Sequence, residues 1–192
     1  MSNCIWCIGR NFALHAKEMG NSPEKEPCVF IKAMASSVMT GSKVKLPLFS
    51  KEVHYETELA LLFDSELNFS HITVALDLTA RDLQTNAKKK GLPWSLSKSF
   101  IDSCPIGKWQ KYNRDKTYSF SLHVNQTIRQ KGVSEDMIFS IHDVREYLLK
   151  RFPVRPGDIV LMGTPENVSK VIPHDLAELF LDETLVGQWM FT

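Results

Sequence analysis

The predicted fold rests on the stretch His54-Tyr55-Glu56-Thr57-Glu58-Leu59-Ala60-Leu61-Leu62-Phe63, whose alternating side chains predict a strand from Tyr55 to Phe63. Side chains two apart share one face of a strand, so Glu56 and Glu58 lie on the same side. A second apolar run, Thr73-Val74-Ala75-Leu76-Asp77-Leu78, predicts another strand and carries Asp77. A carboxylate in apolar surroundings needs a compensating charge, and a divalent metal would supply it. A ligand set made of oxygen atoms favours Mg²⁺, Ca²⁺ or Mn²⁺ over Zn²⁺, which prefers His and Cys.

Each of these acidic residues also has an ordinary structural interpretation. Glu56 and Glu58 fit the solvated face of an antiparallel sheet, since such sheets commonly have one face in water. Asp77 fits a carboxylate at a helix N-terminus. His15 and Glu18, three positions apart, are typical of a surface pair on a helix. The residues by themselves therefore leave a metal site and a solvated face both open.

The composition predicts one globular domain that spans residues 1–192. The chain has 192 residues, and 43% of them are hydrophobic, which is enough for a full core. The net charge of +1 gives no general attraction for nucleic acid, so we expect no nucleic-acid partner. The run Lys88-Lys89-Lys90 is interpreted as a helix C-terminus, because Gly91 follows it as a natural C-cap.

The N-terminal segment predicts neither export nor membrane insertion. Its apolar run, Cys4 to Gly9, is much shorter than the core of a signal sequence or a membrane span. We therefore expect a cytoplasmic location and no membrane partner. The four cysteines are expected to be reduced and mostly buried, because Cys4-Ile5-Trp6-Cys7 has no second cysteine pair that would complete a zinc site.

The rest of the chain predicts short strands with a few helices. The predicted helices are Ala13 to Met19, Ala80 to about Lys90 with Thr79 and Asp82 as a capping-box variant, and Ile141 to Lys150 capped by Ser140. The further predicted strands are Cys4 to Ile8, Cys28 to Ile31, Tyr118 to Val124 joined to Thr127 to Gln130 through Asn125-Gln126, Ile159 to Met162, and a hairpin from Ala177 to Phe191 around Glu183-Thr184. The fold class is therefore mixed α+β and β-rich, a roll or barrel with short peripheral helices rather than a βαβ repeat.

Several short motifs occur in a fixed order along nearly the whole chain. They are Gly9-Arg10-Asn11-Phe12 with His15 and Glu18, Phe30-Ile31-Lys32, His54-x-Glu56-x-Glu58, Leu76-Asp77-Leu78-Thr79-Ala80-Arg81-Asp82-Leu83-Gln84, Lys88-Lys89-Lys90-Gly91-Leu92-Pro93-Trp94, Lys98-Ser99-Phe100, Cys104-Pro105 and Gly163-Thr164-Pro165. In this order they resemble the fumarylacetoacetate hydrolase family, and within it the short acylpyruvase and oxaloacetate decarboxylase branch.

The resemblance implies a β-roll fold, a homodimer and one Mg²⁺ or Mn²⁺ per chain. The roles that it implies for single residues are metal ligands for Glu56, Glu58 and Asp77, an active-site lysine for Lys98, a catalytic dyad on a mobile lid for His15 and Glu18, and substrate contacts for Arg10, Gln84 and Thr164. The implied substrate is a small 2-oxo acid, since adjacent oxo and carboxylate oxygens can chelate one cation.

The implied function is a metal-dependent hydrolase that cleaves the carbon–carbon bond of acylpyruvates or related 2,4-dioxo acids. Its leaving group is a pyruvate enolate, whose charge the metal and Lys98 would stabilise, and the same chemistry would decarboxylate oxaloacetate. The alternatives are an isomerase, tautomerase or hydratase of 2-oxo or 2-hydroxy dienoic acids, and a non-catalytic metabolite-binding relative.

The chain departs from the family in a shortened connection between Glu58 and Asp77, for which we expect a changed pocket edge or dimer surface. It also has Ala33 after Lys32, and no glycine-rich extension after Pro165.

Overall fold

The computed structural model describes residues 3–18 and 25–192, and for residues 16–18 it describes the backbone alone. The strands are β1 Cys4–Gly9, β2 Cys28–Ala33, β3 Ser37–Met39, β4 Lys43–Val44, β5 Val53–Tyr55, β6 Thr57–Phe63, β7 Phe69–Leu76, β8 Thr79–Ala80, β9 Cys104–Ile106, β10 Gln110–Lys111, β11 Ser119–Val124, β12 Thr127–Val133, β13 Ile159–Leu161, β14 Ser169–Lys170, β15 Leu176–Leu181 and β16 Thr184–Phe191. The α-helices are α1 Ala13–Glu18, α2 Arg81–Lys90, α3 Ser95–Lys98 and α4 Ile141–Arg151.

The largest sheet is a curled half-barrel with the strand order β2-β1-β13-β6-β7-β9-β3, and β10 pairs with β7. Its centre is the antiparallel β6–β7 hairpin, in which Thr57 lies opposite Leu76 and Leu61 lies opposite Ile72. Both faces of this sheet are covered. Alternate residues of β1 therefore enter two separate core clusters, Trp6 in one and Ile5 in the other. This architecture confirms the predicted β-rich α+β fold.

A second sheet, with the order β12-β11-β15-β16-β4, packs its inner face against the first. Its two hairpins turn through pairs of residues with positive φ: Asn125 and Gln126 at 50° and 65°, and Asp182 and Glu183 at 47° and 66°. Such pairs match the right-handed twist of the flanking strands. The Asn125-Gln126 turn is thus confirmed, whereas the predicted turn at Glu183-Thr184 lies one residue earlier.

The chain changes sheets at Glu56. The strand predicted from Tyr55 to Phe63 is divided into β5, which belongs to a small sheet with β8 and β14, and β6, which belongs to the half-barrel. The continuous strand was wrong because alternation persists through such a break, so the pattern does not reveal it. Glu56 therefore lies at a junction, where its side chain reaches the space between two sheets.

The ends of the longer helices test the capping predictions. The Ser140 hydroxyl accepts a hydrogen bond from the Asp143 N–H at 3.1 Å, and α4 then runs one residue beyond its predicted end. Gly91 ends α2 with a φ of 63°, as expected for a left-handed C-cap. The capping box of Thr79 and Asp82 is wrong. Ala80 occupies the N-cap, and the Asp82 carboxylate instead accepts hydrogen bonds from the loop between β4 and β5, 2.6 Å from Ser50 Oγ.

Two further sequence predictions concern cysteines and membrane spans. All four cysteines are free thiols, and Cys7 and Cys104 are fully buried. Within the two described ranges, none of the helices has the length and apolar character needed to cross a bilayer.

Candidate active site

Three carboxylates meet where the chain crosses between the sheets. Glu56 precedes β6, Glu58 is the second residue of β6, and Asp77 directly follows β7. One carboxylate oxygen from each residue lies within 4.8 Å of the other two, and all three side chains are buried. The solvated-face interpretation of Glu56 and Glu58 is therefore wrong, because their side chains are only 5% and 2% exposed. Asp77 is likewise not at a helix N-terminus, since α2 begins four residues later.

Backbone contacts fix the relative positions of the three carboxylates. The Asp77 N–H donates to the Glu56 carbonyl at 2.8 Å, which extends the β6–β7 ladder to these two residues. The Gly163 N–H donates to Glu58 Oε2 at 2.6 Å. Gly163 has a φ of +90°, and a Cβ there would lie 2.6 Å from the Asn11 Cβ. Glycine is required at this position, since the close backbone approach delivers the N–H to Glu58.

Cationic side chains surround two of the three carboxylates. Lys98 Nζ lies 2.6 Å from Glu56 Oε2 and 2.5 Å from Asp77 Oδ2. Lys32 Nζ lies 2.8 Å from Asp77 Oδ1, and an Arg81 nitrogen lies 2.5 Å from Glu56 Oε1. Glu58 has no cationic partner at ion-pair distance among the residues that the structure describes. The cluster is thus balanced around Glu56 and Asp77 and uncompensated at Glu58.

This asymmetry separates the pKa values of the two glutamates. Burial raises the pKa of Glu56, but the Lys98 and Arg81 charges outweigh burial and hold it well below its usual range. Burial and the adjacent carboxylates Asp77 and Glu56 raise the pKa of Glu58 well above its usual range. Burial lowers the pKa of Lys98, and the same two carboxylates more than reverse this, so the Lys98 pKa is raised and its ammonium remains charged.

The residues present fit a hard divalent cation. Glu58 lacks a compensating charge, and the donor atoms are all carboxylate oxygens, which Mg²⁺ and Mn²⁺ prefer. Glu56, Glu58 and Asp77 are therefore the residues that would hold such an ion, and their role as ligands stays a prediction.

The cavity above the carboxylates brings together most of the other predicted site residues. Arg10, His15, Gln84, Lys98 and Thr164 all line it. His15 is buried and lies on α1, and Arg10 adopts a left-handed φ of 60° just before that helix. Such backbone strain is typical of functional sites. Glu18 ends α1, but only its backbone is described. The structure therefore places His15 in the cavity, and the predicted pairing of His15 with Glu18 stays a prediction.

Long-range polar contacts hold the walls of this cavity. The buried Asn11 amide donates to the Met162 carbonyl at 2.8 Å and accepts from the Phe139 N–H at 2.7 Å, which fixes the chain that leads into α1. The buried Gln130 amide accepts from the Thr57 N–H at 2.9 Å and donates to Thr164 Oγ1 at 3.0 Å. Gln130 therefore ties the loop of Thr164 to the strand of Glu58.

Sequence reasoning missed Lys32, Arg81, Lys88 and Gln130 as contributors to this site. Helical spacing would have indicated two of them, because Arg81 and Lys88 lie three residues before and four residues after Gln84 on α2. Lys32 and Gln130 carry no comparable local signal, since their partners are distant in the sequence.

The shortened connection between Glu58 and Asp77 is the tight turn between β6 and β7. Its Asp64 N–H donates to the Asn68 carbonyl at 2.9 Å. Among the described residues, those of this turn do not line the cavity. A change at the pocket edge is excluded, because Glu58 and Asp77 lie at the opposite end of the hairpin from the turn, and the alternative of a changed dimer surface stays a prediction.

The family model for the fumarylacetoacetate (FAA) hydrolase C-terminal domain matches residues 4–184. The chain belongs to the fumarylacetoacetate hydrolase family. The family expected from the sequence motifs is therefore confirmed. The match includes the three carboxylates and every residue that lines the cavity.

Individual members of the family extend this result. The chain is 36% identical over 184 residues to the mitochondrial oxaloacetate tautomerase FAHD1 of Bos taurus, covering 89% of this chain and 83% of the relative. A fumarylacetoacetate hydrolase family protein from Yersinia pestis CO92 superposes with a TM-score of 0.93 at 34% identity, covering 100% of this chain and 94% of that one. Fumarylpyruvate hydrolase from Pseudomonas aeruginosa, solved with Mn²⁺ and pyruvate, has a TM-score of 0.90 at 31% identity, covering 100% and 90%. Members of this family are enzymes, and hydrolases and oxaloacetate tautomerases are both similar to this chain.

Proposed function

We propose that this protein is a metal-dependent enzyme that forms the enolate of a small 2-oxo acid, and that its reaction is hydrolysis of the carbon–carbon bond of acylpyruvates. The observation that carries this proposal is the buried cluster of Glu56, Glu58 and Asp77 beside a charged Lys98, in a cavity that His15 also lines. The fumarylpyruvate hydrolase structure with Mn²⁺ and pyruvate supports both the ion and the substrate class.

A divalent cation held by Glu56, Glu58 and Asp77 would polarise the 2-oxo group of a chelated substrate. Lys98 is a cation in the protein and a hydrogen-bond donor, since its pKa is raised. Its ammonium can therefore stabilise negative charge on a departing enolate oxygen.

His15 is the residue in position to handle protons during hydrolysis. Its imidazole would take a proton from a water molecule that attacks the 4-carbonyl of an acylpyruvate. The bond between C3 and C4 then breaks, its electron pair enters the pyruvate enolate, and the proton on His15 returns to C3. Glu18 would orient the imidazole, as the family resemblance implies.

The test compares turnover of acetylpyruvate and fumarylpyruvate by the native chain, Asp77→Asn and His15→Gln, with Mg²⁺ or Mn²⁺ added after thorough chelation. We expect Asp77→Asn to lose Mn²⁺ affinity and turnover together, by roughly 100-fold or more. His15→Gln should lower hydrolysis by about 10² to 10⁴ and leave Mn²⁺ binding unchanged. Full activity of the chelated native protein would refute the proposal.

Matched substitutions at exposed positions serve as controls. Asp115 is 87% exposed, and His142 is an exposed residue of α4, so Asp115→Asn and His142→Gln should keep native rates. If the control variants lost as much activity as the site variants, the losses would reflect general damage to the protein and would not support the proposed roles.

Tautomerisation of oxaloacetate is a second candidate, favoured by the 36% identity to the bovine oxaloacetate tautomerase. This reaction moves a proton between C3 and the 2-oxo oxygen and needs no attacking water, so His15 would suffice to carry the proton from one position to the other while the Lys98 ammonium stabilises the enolate oxygen. An assay that follows the enol and keto forms of oxaloacetate, with pyruvate release measured in parallel, separates tautomerisation from decarboxylation. The homodimer and the cytoplasmic location remain predictions.

A further inference from the structure

The cavity has a second polar end, built by one face of α2. Arg81, Gln84 and Lys88 occupy positions i, i+3 and i+7, which lie on the same side of a helix, and all three line the cavity. At a rise of 1.5 Å per residue, Lys88 lies about 10 Å along the helix from Arg81. The stripe therefore leads from the carboxylate cluster to the cavity mouth.

The first two members of this stripe have partners within the protein. Both terminal nitrogens of Arg81 are occupied, because one contacts Glu56 and the other donates to Gln84 Oε1 at 2.7 Å. Lys88 is different. Within the described part of the chain, no carboxylate lies at ion-pair distance from its ammonium.

Lys88 is nevertheless held in place. Its Nζ lies 5.3 Å from the centre of the Trp94 ring, and Trp94 packs in turn against Phe30, with ring centres 5.8 Å apart. All three residues line the cavity. The Lys88 ammonium is thus positioned at the mouth by an aromatic wall and not by a counter-charge.

Among the described residues, the charges that act on Lys88 are mostly positive. Partial burial lowers the pKa of Lys88, and the neighbouring charges of Arg10 and Arg81 lower it further, while Glu56 acts in the opposite direction. Positive charges held close together disfavour one another unless an anion joins them. A bound carboxylate would relieve this repulsion.

We infer that Lys88 determines substrate specificity by binding a second carboxylate, so that the enzyme prefers 2-oxo acids with an anionic group at the far end of the molecule over those with an apolar end. This inference rests on the proposed function for the near end of the substrate. The carboxylate cluster cannot supply this selectivity. It would bind the 2-oxo acid group, which substrates with an anionic far end and substrates with an apolar far end have in common.

The experiment uses two ligands of equal chain length that differ in the distal carboxylate, 2-oxoglutarate and 2-oxopentanoate. Their binding to the Mn²⁺-loaded full chain is measured by calorimetry, so turnover is not required. We expect the native protein to bind 2-oxoglutarate roughly five- to tenfold more tightly, the range for a charge-assisted contact at a partly exposed site. Lys88→Met should abolish this ratio while it keeps an apolar chain on Trp94, and Lys88→Arg should retain most of it.

Lys89→Met is the matched control. Lys89 is exposed, follows Lys88 on α2 and does not line the cavity, so this variant should keep the native ratio. Equal binding of the two ligands by the native protein, or an unchanged ratio in Lys88→Met, would overturn the inference and leave the proposed function standing. If neither ligand bound to the Mn²⁺-loaded protein, the proposed function and the inference would both fall.

Discussion

Replacement of Lys32 by methionine should destabilise the metal-free protein strongly. The Lys32 side chain is fully buried on β2, where Nζ lies 2.8 Å from Asp77 Oδ1 and donates to the Ser103 carbonyl at 3.0 Å and the Leu78 carbonyl at 3.2 Å. It also donates to the carbonyl of Lys98. Methionine fills a similar volume but provides neither the charge nor the donors.

The size of the effect follows from what remains after the change. Removal of one partner from a buried ion pair destabilises a protein by about 3–5 kcal/mol. Here Asp77 Oδ2 keeps Lys98, and the Ser103 carbonyl keeps the Leu78 N–H as a donor. We therefore expect a loss near the lower limit, about 3 kcal/mol, which lowers the unfolding midpoint of a chain of this length by roughly 6–12 °C.

Thermal unfolding of the chelated protein, followed by circular dichroism, measures this shift. Lys170→Met is the control, because Lys170 forms an ion pair with Glu52 in which both side chains are 43% exposed or more. Such exposed pairs contribute little, so the control should keep the native midpoint. A midpoint for Lys32→Met within about 2 °C of the native value would refute the view that Lys32 is a required counter-charge of Asp77.

Three further predictions use other features of the structure. Because burial and the nearby carboxylates raise the pKa of Glu58, the folded metal-free protein keeps a proton that the unfolded chain loses near pH 4.5. Its stability should fall as the pH rises above that value. Mn²⁺ binding should release the proton to the buffer, so the binding enthalpy measured by calorimetry should differ between buffers. Equal binding enthalpies in all buffers would contradict this. Burial raises the pKa of Cys7, and that of Cys104 to about 12, so iodoacetamide at pH 8 should label both only in denaturant, as peptide mass spectrometry would show. Ser140→Ala should lower the free energy of unfolding by about 1 kcal/mol in a urea titration, since the α4 cap is lost, and an unchanged midpoint would exclude that role.

Local features of the fold could be predicted because their causes are local. Ser140 caps α4 through a residue three positions away, and Gly91 ends α2 through its own backbone conformation. The common face of Glu56 and Glu58 follows from the period of a strand, which holds even though the chain changes sheets at Glu56. Asp77 is predicted on a separate strand, and the sequence does not reveal that this strand pairs with the strand of Glu58.

Burial of the carboxylates could not be predicted from alternation. An alternating face looks the same in sequence whether water or protein covers it, so the pattern does not distinguish a solvated Glu58 from a buried one. Lys32 and Gln130 escaped notice for a related reason. Their side chains act on residues more than 25 positions away, and such contacts exist only once the sheets have assembled.

The charges of the site connect the metal, the substrate and Lys88. Glu56, Glu58 and Asp77 carry three negative charges when ionised, and the cations in contact with this cluster, Lys32, Arg81 and Lys98, carry three positive charges. A divalent cation would leave the cluster with two positive charges in a buried space, where uncompensated charge is strongly unfavourable. Lys88 adds a further positive charge in the same cavity, so a substrate with two carboxylates would remove more of this excess than one with a single carboxylate. The recognition of a second carboxylate by Lys88 is therefore consistent with the electrostatics of the whole site, beyond the contacts at its mouth.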